Sequence, residues 1–194
     1  MWLPNQRNLL SSVQDDVETL SFSYEGETEQ GIAVPSYMEA TSLDQLAESE
    51  ADLILGIEPN SVVMEIVSEE VIPAYDLHQL LVEASTPGML AEVENRYDSR
   101  EEFAFVAWSP HWMNQRFDLR YLEDPKDAFG ELNDPARLLT IVNDDLPEDH
   151  PVAYAFMGAM TLDEDQLNDL ESTINETGDP LEGAWRWTED NPEV

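Results

Sequence analysis

Between residues 53 and 108 the sequence alternates short, uninterrupted apolar runs with segments of helical periodicity, and few architectures accommodate that order. Leu53-Ile54-Leu55-Gly56-Ile57 reads as a buried strand, ended by Glu58-Pro59-Asn60. From Ser61 the apolar positions Val62, Val63, Ile66, Val67 and Val71 take helical spacing. Leu80-Leu81-Val82 is the next strand. Thr86-Pro87 opens a second helix, with Pro87 at its first position and Met89, Leu90, Val93 and Tyr97 on one face. Phe103-Ala104-Phe105-Val106-Ala107-Trp108 is a third strand and Ser109-Pro110 the turn after it. Strand–helix–strand–helix–strand with strands apolar on both faces predicts a parallel α/β sheet.

The flanks are consistent with this. Gly31-Ile32-Ala33-Val34, stopped by Pro35, reads as a strand, and Ser42 caps a short helix through Leu43 and Leu46. Leu138-Leu139-Thr140-Ile141-Val142 is a later strand. Helices are predicted at about 149–158, 163–175 and 180–188, the last two capped by Asp163 and Asp179. There is no internal repeat and no low-complexity block.

Composition removes several classes of function. The chain has 8 Lys+Arg against 43 Asp+Glu, a net charge of −35. Nucleic-acid backbones are bound by clustered cations, so no nucleic-acid partner is expected, nor docking on an anionic membrane surface. A hydrophobic fraction of 42% is too high for a disordered acidic tail. Without Cys there is no disulfide framework, thiolate metal site or Cys nucleophile. No apolar run reaches the length of a membrane span, and the first residues lack the basic start and apolar stretch of a signal peptide. Lys126 is the only lysine. An acidic, Lys-poor surface stays hydrated in concentrated salt, where its self-repulsion is screened; this predicts a halophilic source, the alternative being an unusually acidic mesophile.

No catalytic constellation, metal site or cofactor motif stands out. His78, His111 and His150 are scattered, and no phosphate loop, dinucleotide fingerprint or nucleophile elbow is present, so the chain does not read as an enzyme. His111 could orient a Ser or act as a base, or simply fill the turn beside Pro110.

Ligands of open α/β sheets sit beyond the carboxyl ends of strands, and two such ends draw attention. Trp108 precedes the Ser109-Pro110 turn, much as Trp2 precedes Leu3-Pro4. Indole faces suit a cation that cannot donate hydrogen bonds, such as a quaternary ammonium; composition alone favours the alternative, that both are ordinary core or cleft-wall tryptophans. The other end, Asn60-Ser61-Val62-Val63, opens a helix whose first N–H groups can meet an anion, as any helix start can.

Five segments in order then carry a resemblance: Trp2-Leu3-Pro4-Asn5, Val34-Pro35-Ser36-Tyr37-Met38, Gly56-Ile57-Glu58-Pro59 with Met64, Trp108-Ser109-Pro110-His111-Trp112-Met113, and Tyr121-Leu122-Glu123-Asp124-Pro125-Lys126. The tail from Asp179-Pro180-Leu181 through Trp187 to Pro192 adds to it. Together they resemble the substrate-binding proteins of glycine betaine and proline betaine ABC importers, over essentially the whole chain. The resemblance implies an α/β, type II periplasmic-binding-protein-like fold of two lobes. It also implies that one lobe is incomplete, because the Trp-Leu-Pro motif of such proteins lies well inside their sequences; a secretion signal and lipid anchor would then be lacking as well. The corresponding division is 1–35 as a remnant of the first lobe, 36–137 as the second α/β lobe, and 138–194 as a return strand and C-terminal helices.

By the same resemblance, Trp2 and Trp108 are two walls of a cage around the trimethylammonium of a glycine betaine-like zwitterion. Another cage tryptophan of related proteins has no counterpart in this chain. The ligand carboxylate meets the backbone N–H groups of Val62 and Val63, at a loop where Asn60 and Val62 replace glycines frequent in the family, with Ser61 between them. Arg7 stands where a carboxylate-binding histidine is often found and can pair a carboxylate bidentately. His111, with Trp112, supports the Trp108 loop. The partner would be an ABC permease at the extracytoplasmic face of a membrane. The alternatives are a truncated fragment that binds nothing and a soluble osmolyte-sensing or interaction protein.

Overall fold

A computed structural model describes residues 1–192 and 194. In chain order the first elements are β1 (Trp2–Leu3), α1 (Arg7–Val13), β2 (Val17–Phe22), β3 (Tyr24–Glu25), β4 (Glu29–Pro35), α2 (Leu43–Ala47), β5 (Leu53–Leu55), α3 (Val62–Ile66), a π turn (Val67–Val71), α4 (Ile72–Tyr75) and β6 (Leu80–Val82). They continue with α5 (Thr86–Ser99), β7 (Ala104–Ser109), α6 (Met113–Arg116), β8 (Leu119–Tyr121), a 3-10 turn (Gly130–Asn133), β9 (Arg137–Asn143), α7 (Leu146–Asp149), α8 (Pro151–Ala159), β10 (Leu162–Asp163), α9 (Glu164–Thr177) and α10 (Pro180–Asp190). The chain forms two units. Unit 1 joins residues 1–28, 110–112 and 136–194, and unit 2 comprises 29–109 and 113–135.

Unit 2 is built on a five-stranded sheet of order β6-β5-β7-β4-β8. β5 lies parallel to β6 and β7, as the alternating pattern predicts, in the registers Leu53↔Leu80 and Leu55↔Phe105. β4 is antiparallel to both β7 and β8, with Gln30 opposite Trp108 and Ala33 opposite Tyr121. The strand over 31–34 thus belongs to this sheet rather than with the leading residues. The apolar runs become the core: Ile32, Val34, Ile54, Phe103, Phe105 and Val106 are fully buried, and Met64, Val67, Met89 and Val93 of the helical segments are buried as well. Caps follow the sequence, with Ser42 accepting from the Gln45 amide and Ser85 from the Gly88 amide.

Two predicted boundaries move for local reasons. The strand over 53–57 stops at Leu55, because the Ile57 N–H is taken by the Met64 sulfur at 3.4 Å. The helix from Val62 changes to π spacing at 67–71 before resuming. Pro73 has no N–H to return to the preceding turn, which interrupts the regular ladder there.

Unit 1 has a three-stranded antiparallel sheet of order β1-β9-β2, with Trp2 opposite Leu138 and Val17 opposite Asn143, and a short parallel pair, β3 with β10. α10 lies close on α9, where a β-carbon on Gly183 would come 2.5 Å from the Ile174 Cα; the Trp187 indole N–H donates to Asp169 at 2.9 Å across the same contact. Asp163 and Asp179 cap these two helices as predicted, Asp163 within a capping box with Gln166. The helix predicted over 149–158 is two, α7 and α8, broken at His150 because the residue before Pro151 is driven out of helical geometry. Large exposed apolar side chains concentrate in this unit: Leu9, Val13, Phe22, Val152, Phe156, Leu181 and Trp185. No helix among the described residues is long and apolar enough to cross a membrane.

Candidate functional site

The candidate residues fall into two sets. Asn60, Ser61, Val62, Val63 and Trp108 are in unit 2; Trp2, Arg7 and His111 are in unit 1.

In unit 2, adjacent parallel strands β5 and β7 direct their carboxyl ends to one edge of the sheet. Trp108 stands near the end of β7, half-buried, three residues past the Phe105 that pairs with Leu55. The 60–63 segment follows the end of β5 on that same edge. Ser61 has extended backbone angles and starts the helical stretch, its own N–H donating to the Glu58 carbonyl at 3.0 Å. The first amide to reach back along the helix is that of Glu65, to Ser61 O at 3.1 Å, which leaves those of Val62 and Val63 at the open end of the ladder. Val63 is buried and Val62 exposed. The Ser61 hydroxyl oxygen is buried with no hydrogen-bond partner among the described residues. Both Glu58 carboxylate oxygens accept from Thr86, from the amide and the hydroxyl at 2.8 Å each, and these bonds hold its carboxyl below the usual range.

Trp108 is tied into unit 2 by a connection that sequence spacing does not reveal. The Asn114 amide nitrogen donates to the Trp108 carbonyl at 2.9 Å, and the Asn114 amide oxygen accepts from the Tyr121 hydroxyl at 3.0 Å. Burial, with the negative charge of Glu29 adding to it, pushes the Tyr121 phenol well above its ordinary value. An asparagine six residues after a tryptophan carries no motif signal; only the return of the chain through α6 brings it back.

In unit 1, Trp2 lies in β1, half-buried, and its N–H donates to the Gln6 side chain at 2.9 Å while its carbonyl accepts from the Gln6 amide at 2.9 Å. Arg7 opens α1, exposed, with its amide bonded to the Pro4 carbonyl. His111 is buried, its ring 5.4 Å from that of Trp112, and burial lowers its pKa to about 4, so it is neutral at pH 7. The Trp112 amide donates to Glu171 at 2.9 Å, and burial raises the carboxyl of that glutamate. Among the described residues no group of three or more His, Asp or Glu could hold a metal ion.

Residues 1–190 match the family model of the substrate-binding domain of ABC-type glycine betaine transport systems. The chain belongs to that family. The glycine betaine/carnitine transport binding protein of Listeria monocytogenes is 29% identical over 143 residues, which cover 72% of this family member and 46% of the relative. The match thus spans about half the length of that relative. Lactococcal OpuAC, in its closed-liganded conformation complexed with glycine betaine, is 28% identical with a TM-score of 0.83; the superposition covers 100% of this chain and 75% of that one. An ABC-transporter choline-binding protein in complex with choline is 25% identical, with a TM-score of 0.79 and coverage of 99% and 70%. The fold of this family member is accordingly the α/β fold of type II periplasmic binding proteins, and its family is one of solute-binding proteins.

Proposed function

We propose that the chain captures a quaternary-ammonium compatible solute, glycine betaine or a close relative, for import by an ABC transporter. Membership of the family sets the class. The observation that carries the reading is that a half-buried tryptophan and an open helix start lie at one edge of one sheet. These are receptors of opposite kind. An indole face favours a cation stripped of water by about 2 kcal/mol or more. The Val62 and Val63 amides, with the unpartnered Ser61 hydroxyl beside them, are donors suited to a carboxylate. Trp2, an indole, and Arg7, a cation suited to a carboxylate, offer the same two kinds of receptor within unit 1. His111, neutral and buried, supports the loop after β7.

The mechanism is capture without chemistry: the cationic pole is held by rings, the anionic pole by amides, and the loaded protein is offered to a permease at the extracytoplasmic face of the membrane. The acidic surface supports a halophilic source, where importing such solutes balances external salt. A ligand bound only by the folded state raises the thermal midpoint. Unfolding in molar KCl, with glycine betaine, choline, carnitine or glycine added, tests the reading. A rise with a trimethylammonium compound and none with glycine supports it; no rise with any of them contradicts it.

A further inference from the structure

We propose that Asn114 and Tyr121 are positioning residues that set the affinity of the site by fixing the main chain of Trp108. This rests on the ligand reading above, and it assigns a task to two residues outside the expected ligand contacts. All three belong to unit 2.

Trp108 is the last residue but one of β7, and the chain then departs into the Ser109-Pro110 turn. A side chain at a strand end is only as well placed as its backbone, and a ring gripping a small cation loses contact when it moves by an ångström. The Trp108 carbonyl is held at 2.9 Å by the Asn114 amide nitrogen. That amide has one productive orientation, because its oxygen receives the Tyr121 hydroxyl at 3.0 Å. Tyr121 is in turn fixed by the sheet. It sits opposite Ala33 in the β4–β8 pair, and its ring lies over Gly31, where an added β-carbon would be 3.9 Å from Cδ1. Gly31 pairs with Ala107, the neighbour of Trp108. The brace therefore starts from the rigid middle of the sheet and ends on the backbone of the residue that meets the cation.

The chemistry predicts which substitutions matter. Asn114→Asp keeps the shape and the acceptor for Tyr121 but removes the N–H and sets a carboxylate oxygen against the Trp108 carbonyl. Asn114→Leu removes both bonds without adding charge. Tyr121→Phe leaves Asn114 in place and removes the hydroxyl that its amide oxygen receives. The test is calorimetric titration of glycine betaine in molar KCl into the wild type and the three variants, with urea unfolding of each. We expect betaine Kd to rise about tenfold or more for both Asn114 variants and about threefold for Tyr121→Phe, following the loss of one or two part-buried hydrogen bonds. A purely structural role would lower the urea midpoint and leave Kd unchanged. A double-mutant cycle with Trp108→Phe separates the routes: if Asn114 acts through Trp108, the combined loss is smaller than the product of the two.

Unchanged Kd in the Asn114 variants, or losses that multiply in the cycle, overturns the inference while leaving the ligand reading intact. Should the Asn114 variants fail to fold, an unchanged Kd for Tyr121→Phe overturns it alone. Absence of betaine binding by the wild type overturns the ligand reading and this inference with it.

Discussion

The Met64 thioether fills the space that a side chain on residue 56 would need: a β-carbon on Gly56 would come 2.6 Å from Met64 Sδ and 3.2 Å from the Val82 carbonyl oxygen. The same sulfur accepts the Ile57 N–H at 3.4 Å, and the Gly56 N–H donates to Val82 O at 2.8 Å. Gly56 thus lets the helical stretch from Val62 fold back over the end of β5, and so places the 60–63 turn. Gly56→Ala should cost about 1–3 kcal/mol by overpacking, since the Met64 tip can shift but the Val82 carbonyl cannot. Urea unfolding in molar salt checks this; a midpoint equal to that of wild type contradicts it.

His111 makes stability depend on pH with a definite sign. Its folded pKa lies near 4, lowered by burial from the ordinary 6.5, so the unfolded chain takes up the proton first. The contribution is fully present above pH 6.5, declines as pH falls through that value, and levels off below about 4. The gap corresponds to about 3 kcal/mol. The unfolding free energy of wild type minus that of His111→Gln should therefore fall by about 3 kcal/mol between pH 7 and 4. Parallel curves would show that the imidazole titrates normally.

What the sequence made legible, and what it did not, divides on physical lines. Every strand buried on both faces, Leu53–Leu55 and Ala104–Ser109 above all, could be read as an apolar run, and Ser42, Asp163 and Asp179 announced their helices by capping chemistry. β2 could not be read: Val17–Phe22 is half-exposed and mixes polar and apolar residues without clean alternation. β8, three half-buried residues, falls below the length at which a pattern exists. In the candidate site Trp108 and the helix start after Pro59 were legible from their neighbours. The hold of Asn114 on Trp108 was not, because a side-chain to backbone bond across a reversing chain leaves no period.

Salt should stabilise this protein markedly. Against a net charge of −35, Arg96, Arg116, Lys126 and Arg186 form ion pairs whose acidic partners are all exposed. Screening the remaining repulsion outweighs weakening such surface pairs, which are worth little. The thermal midpoint should rise by roughly 10 °C or more between 0.1 and 2 M KCl. A flat or falling midpoint would contradict the halophilic reading.

The claim that an indole and an open row of amides grip opposite poles of one zwitterion is tested most directly by titrating glycine betaine into wild type and Trp108→Ala in 2 M KCl. Saturable binding by the wild type, weakened about 30-fold or more in Trp108→Ala, is the predicted result, since the cation–aromatic contact is worth about 2 kcal/mol or more. Binding by Trp108→Ala as tight as wild type, or no binding by either, would contradict it.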